Sequence, residues 1–499
     1  MAEKKFLAID LGAESGRGII GSFNGEKITL KEISRFPTYN IPIFSHRYWD
    51  VLSIFSEIKN VLQKAAEEGE IESVGVTTWG VDYALIGKND LLLSNPFHYR
   101  DERTKGIMEE VFAKVPKEEI FQKTGIQFMQ INTIFQLYAT MKEFPHLLNS
   151  AEVLLLMSDL FNFWLSGEKY AEYTNATTSQ MYNSLSSGQS KSPRGNWTYG
   201  ILEKIGISGQ CLPEVISPGM SIGNLHKSLR EELNLPKIPV VAVCCHDTAS
   251  AILATPAKGE NWAYLSSGTW SLLGVETFDP IIKEKSFQYN FTNEGGYGGS
   301  ITFLKNIMGL WILQECKRMW EKQGENYSYE QLTELAVTAK PFYSLINVNN
   351  EEFFFPGDMP GRIQKYCKDT EQKVPQEISQ ITRVILESLA MEYRYTIENL
   401  EEILGKNLDV IHIVGGGSQN KLLSQFAASS TRKVVVAGPV EATAAGNILT
   451  QALSKKEISD VSQLREIIRN SFPLIIYQPK ETSLWEEKYQ VYKKLKNVK

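Results

Sequence analysis

Several features that mark special classes of protein are scarce in these 499 residues. Only five are cysteines, and neither the adjacent Cys244 and Cys245 nor the others show a metal-ligand spacing or an even disulfide framework. No apolar run approaches the ~20 residues that cross a membrane. The first predicted strand begins at Phe6, which leaves no room for a signal peptide. We therefore expect buried thiols, no membrane partner and a cytoplasmic location.

Excess charge is missing as well. The formal net charge is −6, whereas a general nucleic-acid binder usually needs a basic face. The phosphate-binding pattern GxxxxGK[ST] is absent, and so is a dinucleotide GxGxxG followed by an acidic residue. What remains is average for a globular protein, with 42% hydrophobic and 22% charged residues, and the chain is too long for one ordinary core. These figures agree with a soluble enzyme of two lobes.

One pattern of strand, small-residue turn and strand occurs twice. Near the start, the apolar run 6–10 is followed by the turn 11–17, and in the middle the run 263–266 is followed by the turn 267–271. Glycines let such a turn bring N–H groups close to a ligand, and hydroxyls add donors for phosphate oxygens. A single turn of this kind is as often only a hairpin. The pair, with a carboxylate at Asp10, favours two related lobes that bind a nucleotide's phosphates.

Strands and helices alternate in both halves of the chain, which predicts an α/β fold. In the first half, strands are predicted at 6–10, 17–22, 27–36 and 74–77, and helices at 51–66, 107–123, 132–143 and 159–166. In the second half, strands are predicted at 240–243, 262–266, 271–276, 410–414 and 434–436, and helices at 306–322, 377–404, from 420, and at 483–495. The segment 174–196, rich in Ser, Thr, Asn and Gly, predicts an irregular surface segment. Prolines at 236 and 239 predict the boundary between domains 1–238 and 239–499.

The triplet His246-Asp247-Thr248 directly follows a buried apolar strand. Ligands in α/β folds bind at the carboxyl ends of strands, so Asp247 is a candidate general base for a hydroxyl that attacks phosphorus. The alternative is that Asp247 caps the helix that begins there. The two roles do not exclude one another.

A second candidate site follows the strand at 74–77. Trp79 and Tyr83 could form a wall against a sugar, Asp82 could accept sugar hydroxyls, and Gly80 could let backbone approach them. The alternative is a buried tryptophan beside an aspartate whose hydrogen bonds are satisfied internally.

Two glycine-rich junctions complete the candidate sites. The turn 415–420 lies between a strand and a helix, where a helix N-terminus attracts phosphate and glycines admit a base or ribose. In the segment 438–446 the small residues more often mean close helix packing.

Taken together, these segments resemble the FGGY family of carbohydrate kinases, within the actin-like ATPase superfamily. The resemblance runs in the family's order along almost the whole chain, through Asp10–Arg17, Thr78–Tyr83, Tyr99–Thr104, Thr174–Thr178, His246–Thr248, Ser266–Ser271, Thr292–Gly296, Lys305–Trp311, Gly415–Asn420 and Gly438–Thr443. It implies a two-lobed actin-like (ribonuclease H-like) fold with duplicated domains and a nucleotide cleft between them. It also implies an N-terminal lobe for sugar and phosphate and a C-terminal lobe for the catalytic base and nucleotide.

The resemblance further implies the role of individual residues. Asp247 would be the catalytic base, and Asp10 would help to hold hydrated Mg²⁺. The residues implied for ATP are Ala13, Glu14, Ser15, Gly16, Arg17, Thr269, Gln314, Gly416 and Gly417. The residues implied for the sugar are Gly80, His246, Thr248 and Asn306, to which the aromatic wall adds Trp79 and Asp82. Glu14 departs from many relatives, which carry serine there.

The implied reaction is ATP- and Mg²⁺-dependent phosphorylation of the carbon-1 hydroxyl of L-rhamnulose, by a monomer or small homo-oligomer. Another ketose, such as L-fuculose or xylulose, is the alternative within the class. An actin-like ATPase that binds protein is the alternative outside it, and it predicts neither a Trp/Asp wall nor a base before the second hairpin. A sugar-responsive regulator would need a DNA-binding module, for which the sequence before the first strand has no space.

Overall fold

The computed structural model describes residues 3–184 and 195–496. The chain forms two compact units, of which the first comprises Met1–Ala254, Glu276–Phe303 and Ala442–Ser471. The second comprises Thr255–Val275, Leu304–Glu441 and Phe472–Lys499. Each unit is therefore built from three separate stretches of chain.

The first unit is organised by a six-stranded sheet. Its order is Met220–Asn224, Pro239–Ala242, Val74–Thr78, Lys4–Leu11, Ser15–Phe23 and Ile28–Pro37. The three strands in the middle of this order, from Pro239–Ala242 to Lys4–Leu11, are parallel to their neighbours within that set, and the outer pairings are antiparallel. Val, Ile, Leu and Phe fill the central strands, as expected for a sheet covered on both faces.

Helices pack against this sheet. Val51–Glu67 begins at Asp50, whose side chain accepts a hydrogen bond from Ser53 N, and it buries the apolar residues spaced along one face. The other helices of the first unit are Ile107–Lys114, Lys117–Thr124, Thr133–Glu143, Pro145–Ser150, Met157–Ser166, Tyr173–Thr178, Tyr199–Lys204, Lys227–Leu233, Asp247–Leu253, Glu284–Gln288, Ala442–Ser454 and Val461–Ser471. Shorter strands lie at Asn40–Ile43, His46–Trp49, Tyr83–Ile86, Val153–Leu156, Ala171–Glu172, Tyr182–Asn183, Asn196–Trp197, Val215–Ile216 and Thr292–Gly295.

The helix Ala442–Ser454 returns to the first unit from far along the chain. Gln451 Nε2 donates to Leu7 O at 3.0 Å, and Asn447 Nδ2 donates to Gly75 O at 3.1 Å. A Cβ on Gly446 would lie 2.7 Å from the carbonyl carbon of Ser250, so only glycine lets this helix approach the helix Asp247–Leu253 so closely. The small residues of 438–446 thus serve helix packing, as the sequence favoured.

The second unit contains five consecutive strands of a seven-stranded sheet, in the order Trp270–Thr277, Trp262–Ser267, Val410–Val414, Val434–Ala437 and Ile475–Tyr477. Its helices are Trp311–Lys322, Tyr329–Thr338, Met359–Asp369, Ile378–Leu404, Lys421–Thr431 and Thr482–Leu495. Strand Ile301–Met308 contains Asn306, so the helix predicted from 306 is wrong at its start and begins instead at Trp311.

The two sheets repeat one pattern of pairings. In each, the first strand of the recurring hairpin pairs antiparallel with the next strand and parallel with a later one. A further parallel strand and a final antiparallel strand then follow in both. The predicted duplication of the domains is therefore present in the topology.

Two predictions about organisation differ from the structure. The division predicted after residue 238 is not that of the compact units, because strand Pro239–Ala242 pairs with Val74–Thr78 and keeps residues up to Ala254 in the first unit. The segment predicted to be irregular and exposed begins instead as the buried helix Tyr173–Thr178, while residues 185–194 lie outside the described residues.

Candidate active site

In the first unit, the candidate residues follow the ends of three adjacent parallel strands. Asp10 lies opposite Arg17 on one side and Thr77 on the other. Thr78 N donates to Cys245 O at 2.9 Å, and Thr78 pairs with His246 in a parallel bridge. Because parallel strands present their carboxyl ends at one edge, Asp10, Trp79 and Asp247 belong to the same edge of the sheet.

Asp247 is the first residue of the helix Asp247–Leu253, and His246 occupies the position before it. Asp247 Oδ1 accepts hydrogen bonds from Thr248 N at 2.5 Å and from Thr248 Oγ1 at 3.2 Å. Burial, with repulsion from Asp10 as the second cause, raises the pKa of Asp247 to about 7. A carboxylate with this pKa can accept a proton near neutral pH. Asp247 is thus a helix residue and a competent base, but it is not the residue that caps the helix.

The first hairpin is held by its own backbone and by Thr38. Gly12 N donates to Ser15 O at 3.0 Å, and Thr38 Oγ1 donates to Gly12 O at 2.8 Å. Ala13 lies in this turn partly exposed, and Glu14 is exposed at its tip. The turn therefore presents residues 12–15 on a rigid support.

Two residues of this hairpin have functions that the sequence did not predict. Arg17 Nη2 lies 2.5 Å from Asp10 Oδ2, so the guanidinium neutralises the carboxylate predicted for Mg²⁺. A Cβ on Gly16 would lie 2.8 Å from Leu11 Cδ2 and would overlap the ring of Phe36. Packing inside the first unit requires glycine there, and a positive φ does not.

Asp82 is fully buried and binds the indole N–H groups of Trp49 and Trp79. Its Oδ2 accepts hydrogen bonds from Trp49 Nε1 at 2.6 Å, from Trp79 Nε1 at 3.0 Å and from Tyr99 N at 3.2 Å. Its Oδ1 accepts from Gln136 Nε2 at 2.8 Å, and burial raises its pKa to about 6. The direct contact with sugar hydroxyls predicted for Asp82 is therefore wrong, since both carboxylate oxygens are buried and occupied.

Trp79 itself is 6% exposed and packs on Trp49 with 4.2 Å between ring centroids. The next two residues bring backbone to the surface. Gly80 is partly exposed, and a Cβ there would lie 2.9 Å from Thr178 Oγ1. Val81 has a φ of 68°, a strained conformation for a β-branched residue, and its carbonyl is held by Thr133 Oγ1 at 2.7 Å. This strained turn is a feature that residue patterns do not reveal.

His246 is buried between two acidic side chains. Its Nε2 lies 3.6 Å from Asp247 Oδ1, and its Nδ1 lies 3.5 Å from Glu294 Oε2. Burial lowers the pKa of His246, and Glu294 opposes that effect. Thr248, predicted for the sugar, is buried and donates its hydroxyl to Asp247.

The backbone of the Asp247 segment is fixed by Glu172, a residue that no sequence motif singled out. Glu172 Oε2 accepts hydrogen bonds from Cys245 N at 3.1 Å and from Thr174 Oγ1 at 2.5 Å. Thr174 Oγ1 in turn accepts from His246 N at 3.1 Å. The only signal in the sequence was the position of Glu172 just before the motif 174–178, where it caps the helix Tyr173–Thr178.

In the second unit, the turn of the recurring hairpin consists of Gly268 and Thr269. Gly268 N donates to Trp270 O at 2.8 Å, and Thr269 O accepts from Trp311 N at 3.1 Å. The nearest atom to a Cβ on Gly268 is 3.8 Å away and its φ is not positive, so neither clash nor strain within the unit requires glycine there. Gly309 is the residue that packing does require, because its Cβ would lie 2.6 Å from the carbonyl carbon of Trp270.

The glycine turn packs against this hairpin. A Cβ on Gly417 would lie 2.6 Å from Ser267 Cβ, whereas Gly416 is exposed and has no neighbour within 4 Å of such an atom. Near the start of the helix Trp311–Lys322, the buried Oε1 of Gln314 has no hydrogen-bond partner among the described residues. The second unit thus offers an open glycine surface and an unsatisfied acceptor, and Asn306 lies partly exposed on its strand.

Nearly the whole chain matches models of one protein family. Residues 5–254 match the N-terminal domain, and residues 263–454 match the C-terminal domain, of the FGGY family of carbohydrate kinases. This chain belongs to the FGGY family of carbohydrate kinases. The predicted kinase class is thereby confirmed, and the gap between the two matches lies beyond the predicted boundary at 238.

Among its relatives are proteins named rhamnulokinase. The one from Bacteroides thetaiotaomicron is 42% identical over 492 residues, covering 98% of this chain and 99% of that protein. The one from Halalkalibacterium halodurans is 42% identical over 472 residues, covering 94% and 98%. The one from Bacillus subtilis is 38% identical over 477 residues, covering 95% and 96%.

Solved structures share the fold at low sequence identity. Gluconate kinase from Lactobacillus acidophilus has a TM-score of 0.79 at 15% identity, covering 99% of this chain and 98% of that one. Glycerol kinase from Plasmodium falciparum, solved with ADP, has a TM-score of 0.78 at 16% identity, covering 99% and 97%. The predicted α/β fold of the actin-like ATPase type is confirmed.

Proposed function

We propose that this FGGY kinase transfers the γ-phosphoryl group of ATP to the carbon-1 hydroxyl of L-rhamnulose, which yields L-rhamnulose 1-phosphate and ADP. Similarity over nearly the full length to proteins named rhamnulokinase supports the choice of sugar. The observation that carries the chemistry is Asp247, a carboxylate with a pKa of about 7 at the carboxyl edge of a parallel sheet.

In this proposal Asp247 acts as the general base. Its carboxylate accepts the proton of the carbon-1 hydroxyl while the oxygen forms a bond to the γ-phosphorus and the bond to the ADP oxygen breaks. Phosphoryl transfer needs positioning and charge stabilisation more than covalent help from the protein. The only proton transfer in the reaction is therefore assigned to one base, whose pKa is matched to neutral pH. The hydrogen bonds from Thr248 and the support from Glu172 fix where that base stands.

The nucleotide roles follow the two hairpins. Ala13, Glu14 and Ser15 present the first turn to the phosphates, and Gly16 and Arg17 support it through packing and the ion pair with Asp10. In the second unit, Thr269 contacts phosphate from the second turn. Gln314 and the glycines at 416 and 417 hold the rest of the nucleotide, which agrees with the unsatisfied Gln314 Oε1 and the open surface at Gly416.

The sugar roles fall to Gly80, His246, Thr248 and Asn306, with Trp79 as the apolar wall. Gly80 and Val81 bring backbone to the surface, and Trp79 stays rigid because Asp82 binds its indole N–H. Buried groups that hydrogen-bond a sugar strongly reject an epimer that leaves them unpaired. The preference for one ketose therefore resides in these few contacts.

Mg²⁺ fits the first unit as a hydrated ion that accompanies ATP. In residues 3–184 and 195–496, no three His, Cys, Asp or Glu side chains are grouped to hold a metal ion. Asp10 Oδ1 accepts from Thr77 Oγ1 at 3.2 Å and Oδ2 pairs with Arg17, so this carboxylate suits contact through metal-bound water, which Mg²⁺ usually retains. When bound, the ion would neutralise charge on the phosphates.

We further propose a cytoplasmic monomer or small homo-oligomer without nucleic-acid or membrane partners. No helix within the described part of the chain has the length and apolar character to cross a membrane. Size-exclusion chromatography with light scattering would give the oligomeric state. A stable assembly of many subunits would contradict this part of the proposal.

The decisive assay is ADP release with a panel of ketoses at equal concentration, with the phosphate position of the product determined by phosphorus NMR. We expect L-rhamnulose to be preferred and carbon 1 to be phosphorylated. Preference for L-fuculose or xylulose would reject the sugar but keep the kinase class. ATPase activity that no sugar stimulates would reject the proposed reaction as a whole.

A further inference from the structure

The ring of His246 is held between two carboxylates, only one of which has a role in the proposed reaction. Nε2 faces Asp247 Oδ1 at 3.6 Å, and Nδ1 faces Glu294 Oε2 at 3.5 Å. The side chains of His246 and Glu294 are 10% and 6% exposed. Glu294 lies on the strand Thr292–Gly295, which also belongs to the first unit. Water therefore has little access to the Nδ1 side of the ring.

The backbone of His246 is fixed independently of its ring. Its N–H donates to Thr174 Oγ1, which Glu172 holds in turn. The groups that the structure places at the two ring nitrogens are the carboxylates of Asp247 and Glu294.

A neutral imidazole carries one N–H, and an ionised carboxylate can only accept. Both carboxylates could accept from the ring, but Glu294 is the one whose charge raises the pKa of His246. Glu294 therefore favours the proton on Nδ1, which leaves Nε2 as an acceptor on the side of Asp247. The opposite tautomer would aim an N–H at Asp247 and reduce its ability to take a proton from substrate. Burial lowers the pKa of His246, which keeps the ring neutral near pH 7.

We propose that Glu294 is a positioning residue that fixes His246 as the Nδ1–H tautomer, so that Nε2 accepts a hydrogen bond from a second sugar hydroxyl beside the one that Asp247 deprotonates. The sugar contact rests on the proposed function, whereas the tautomer does not. A ketose whose second hydroxyl points elsewhere would leave Nε2 unpaired, which makes this nitrogen a determinant of specificity.

The tautomer is measured in the whole enzyme without ligands, labelled with ¹⁵N in its histidine rings. There are six histidines, and the signals lost in His246→Asn assign the ring in question. The couplings between each ring nitrogen and the carbon-bound protons distinguish the tautomers. We expect Nδ1–H in the wild type. An Nε2–H ring or an imidazolium at pH 7.5 would overturn the proposal without any variant.

Glu294→Gln keeps the size of the side chain but can donate as well as accept. We expect a mixture of tautomers and a KM for the sugar raised on the order of 10-fold, with the KM for ATP changed by less than about 2-fold. The matched control is Thr302→Val, because Thr302, on the strand Ile301–Met308, donates from Oγ1 to the backbone oxygen of Glu294 at 3.3 Å and not to its carboxylate. We expect this control to keep the wild-type tautomer and sugar KM.

An unchanged tautomer and sugar KM in Glu294→Gln would refute the positioning role. An equal rise of the sugar KM in Thr302→Val would also refute it, since that result would mean that any weakening of the strand Thr292–Gly295 has the same effect. If the wild type shows Nδ1–H but phosphorylates no ketose, the proposed function fails and the tautomer assignment stands.

Discussion

Replacing Asp247 with asparagine separates the chemical role of this residue from its structural one. Asparagine keeps the shape and the Oδ1 atom that accepts from Thr248 N, so the start of the helix Asp247–Leu253 should be preserved. Only the ability to take a proton is lost. General-base catalysis contributes roughly 10²–10⁴-fold in rate, and we expect kcat to fall by that factor.

The same substitution should stabilise the protein at high pH. The shift in pKa from 3.8 to about 7 means that the folded state disfavours the ionised carboxylate. At 1.36 kcal/mol per unit this corresponds to about 4 kcal/mol, and because the side chain is 32% exposed we take roughly half, ~2 kcal/mol.

The sign follows from proton binding. Between pH 4 and 7 the folded state holds a proton on Asp247 that the unfolded state releases, so the contribution of Asp247 to wild-type stability falls as pH rises and is constant above about 7. The asparagine variant does not lose this stability, because its side chain does not ionise. Its free energy of unfolding should therefore exceed that of the wild type by the full amount at pH 8 and by nothing below about pH 4.

Two measurements on the same preparations check this pair of effects. Coupled ADP release gives kcat, and urea unfolding at pH 8 and pH 5 gives the difference in stability, with circular dichroism as the control for folding. A variant that turns over within tenfold of the wild type would show that Asp247 is not the base. A variant less stable than the wild type at pH 8 would show that burial does not penalise its charge.

Three further predictions use other parts of the site. Since Asp247 must be ionised to act, kcat/KM for the sugar should fall tenfold per pH unit below about 7 in the wild type, and a flat profile from pH 5 to 8 would argue against its raised pKa. Gly268→Ala should fold normally and raise only the KM for ATP, whereas Gly417→Ala should destabilise by about 1–3 kcal/mol because its Cβ would lie 2.6 Å from that of Ser267; equal thermal midpoints in the two variants would contradict the packing argument. Asp82→Asn should change tryptophan emission and raise the KM for the sugar, because two indole N–H groups share one oxygen of Asp82, and an unchanged spectrum would refute this role of Asp82.

Local patterns in the sequence predicted helices and strands better than they predicted contacts between residues distant in sequence. The helix expected at 51–66 is Val51–Glu67, and that expected at 377–404 is Ile378–Leu404, because capping and apolar spacing are local properties. Both hairpins were predicted for the same reason. The start of the helix near 306 was misplaced because an apolar run before Gly309 is ambiguous between strand and helix.

The candidate site was predicted in outline only. Asp247 was recognisable because it follows a strand, and the second alternative for Asp82, a satisfied buried carboxylate, is what the structure has. The contacts of Glu172 and Glu294 with the His246 segment join residues far apart in sequence, and no spacing rule gives them. Gly16 was implied for ATP by the resemblance alone, and its packing against the ring of Phe36 could not be predicted because Phe36 lies on another strand.

The discontinuous course of the chain has a consequence for synthesis on the ribosome. The first unit begins at the N-terminus but receives the helices Ala442–Ser454 and Val461–Ser471 only after most of the second unit has been made. Until then the polar side chains of Asn447 and Gln451 cannot reach Gly75 O and Leu7 O on the central strands. These contacts therefore form only after residues 372 and 444 positions downstream have been synthesised. In such a protein the two units cannot be finished in the order in which they are translated, and a chain interrupted between 303 and 442 would leave both of them incomplete.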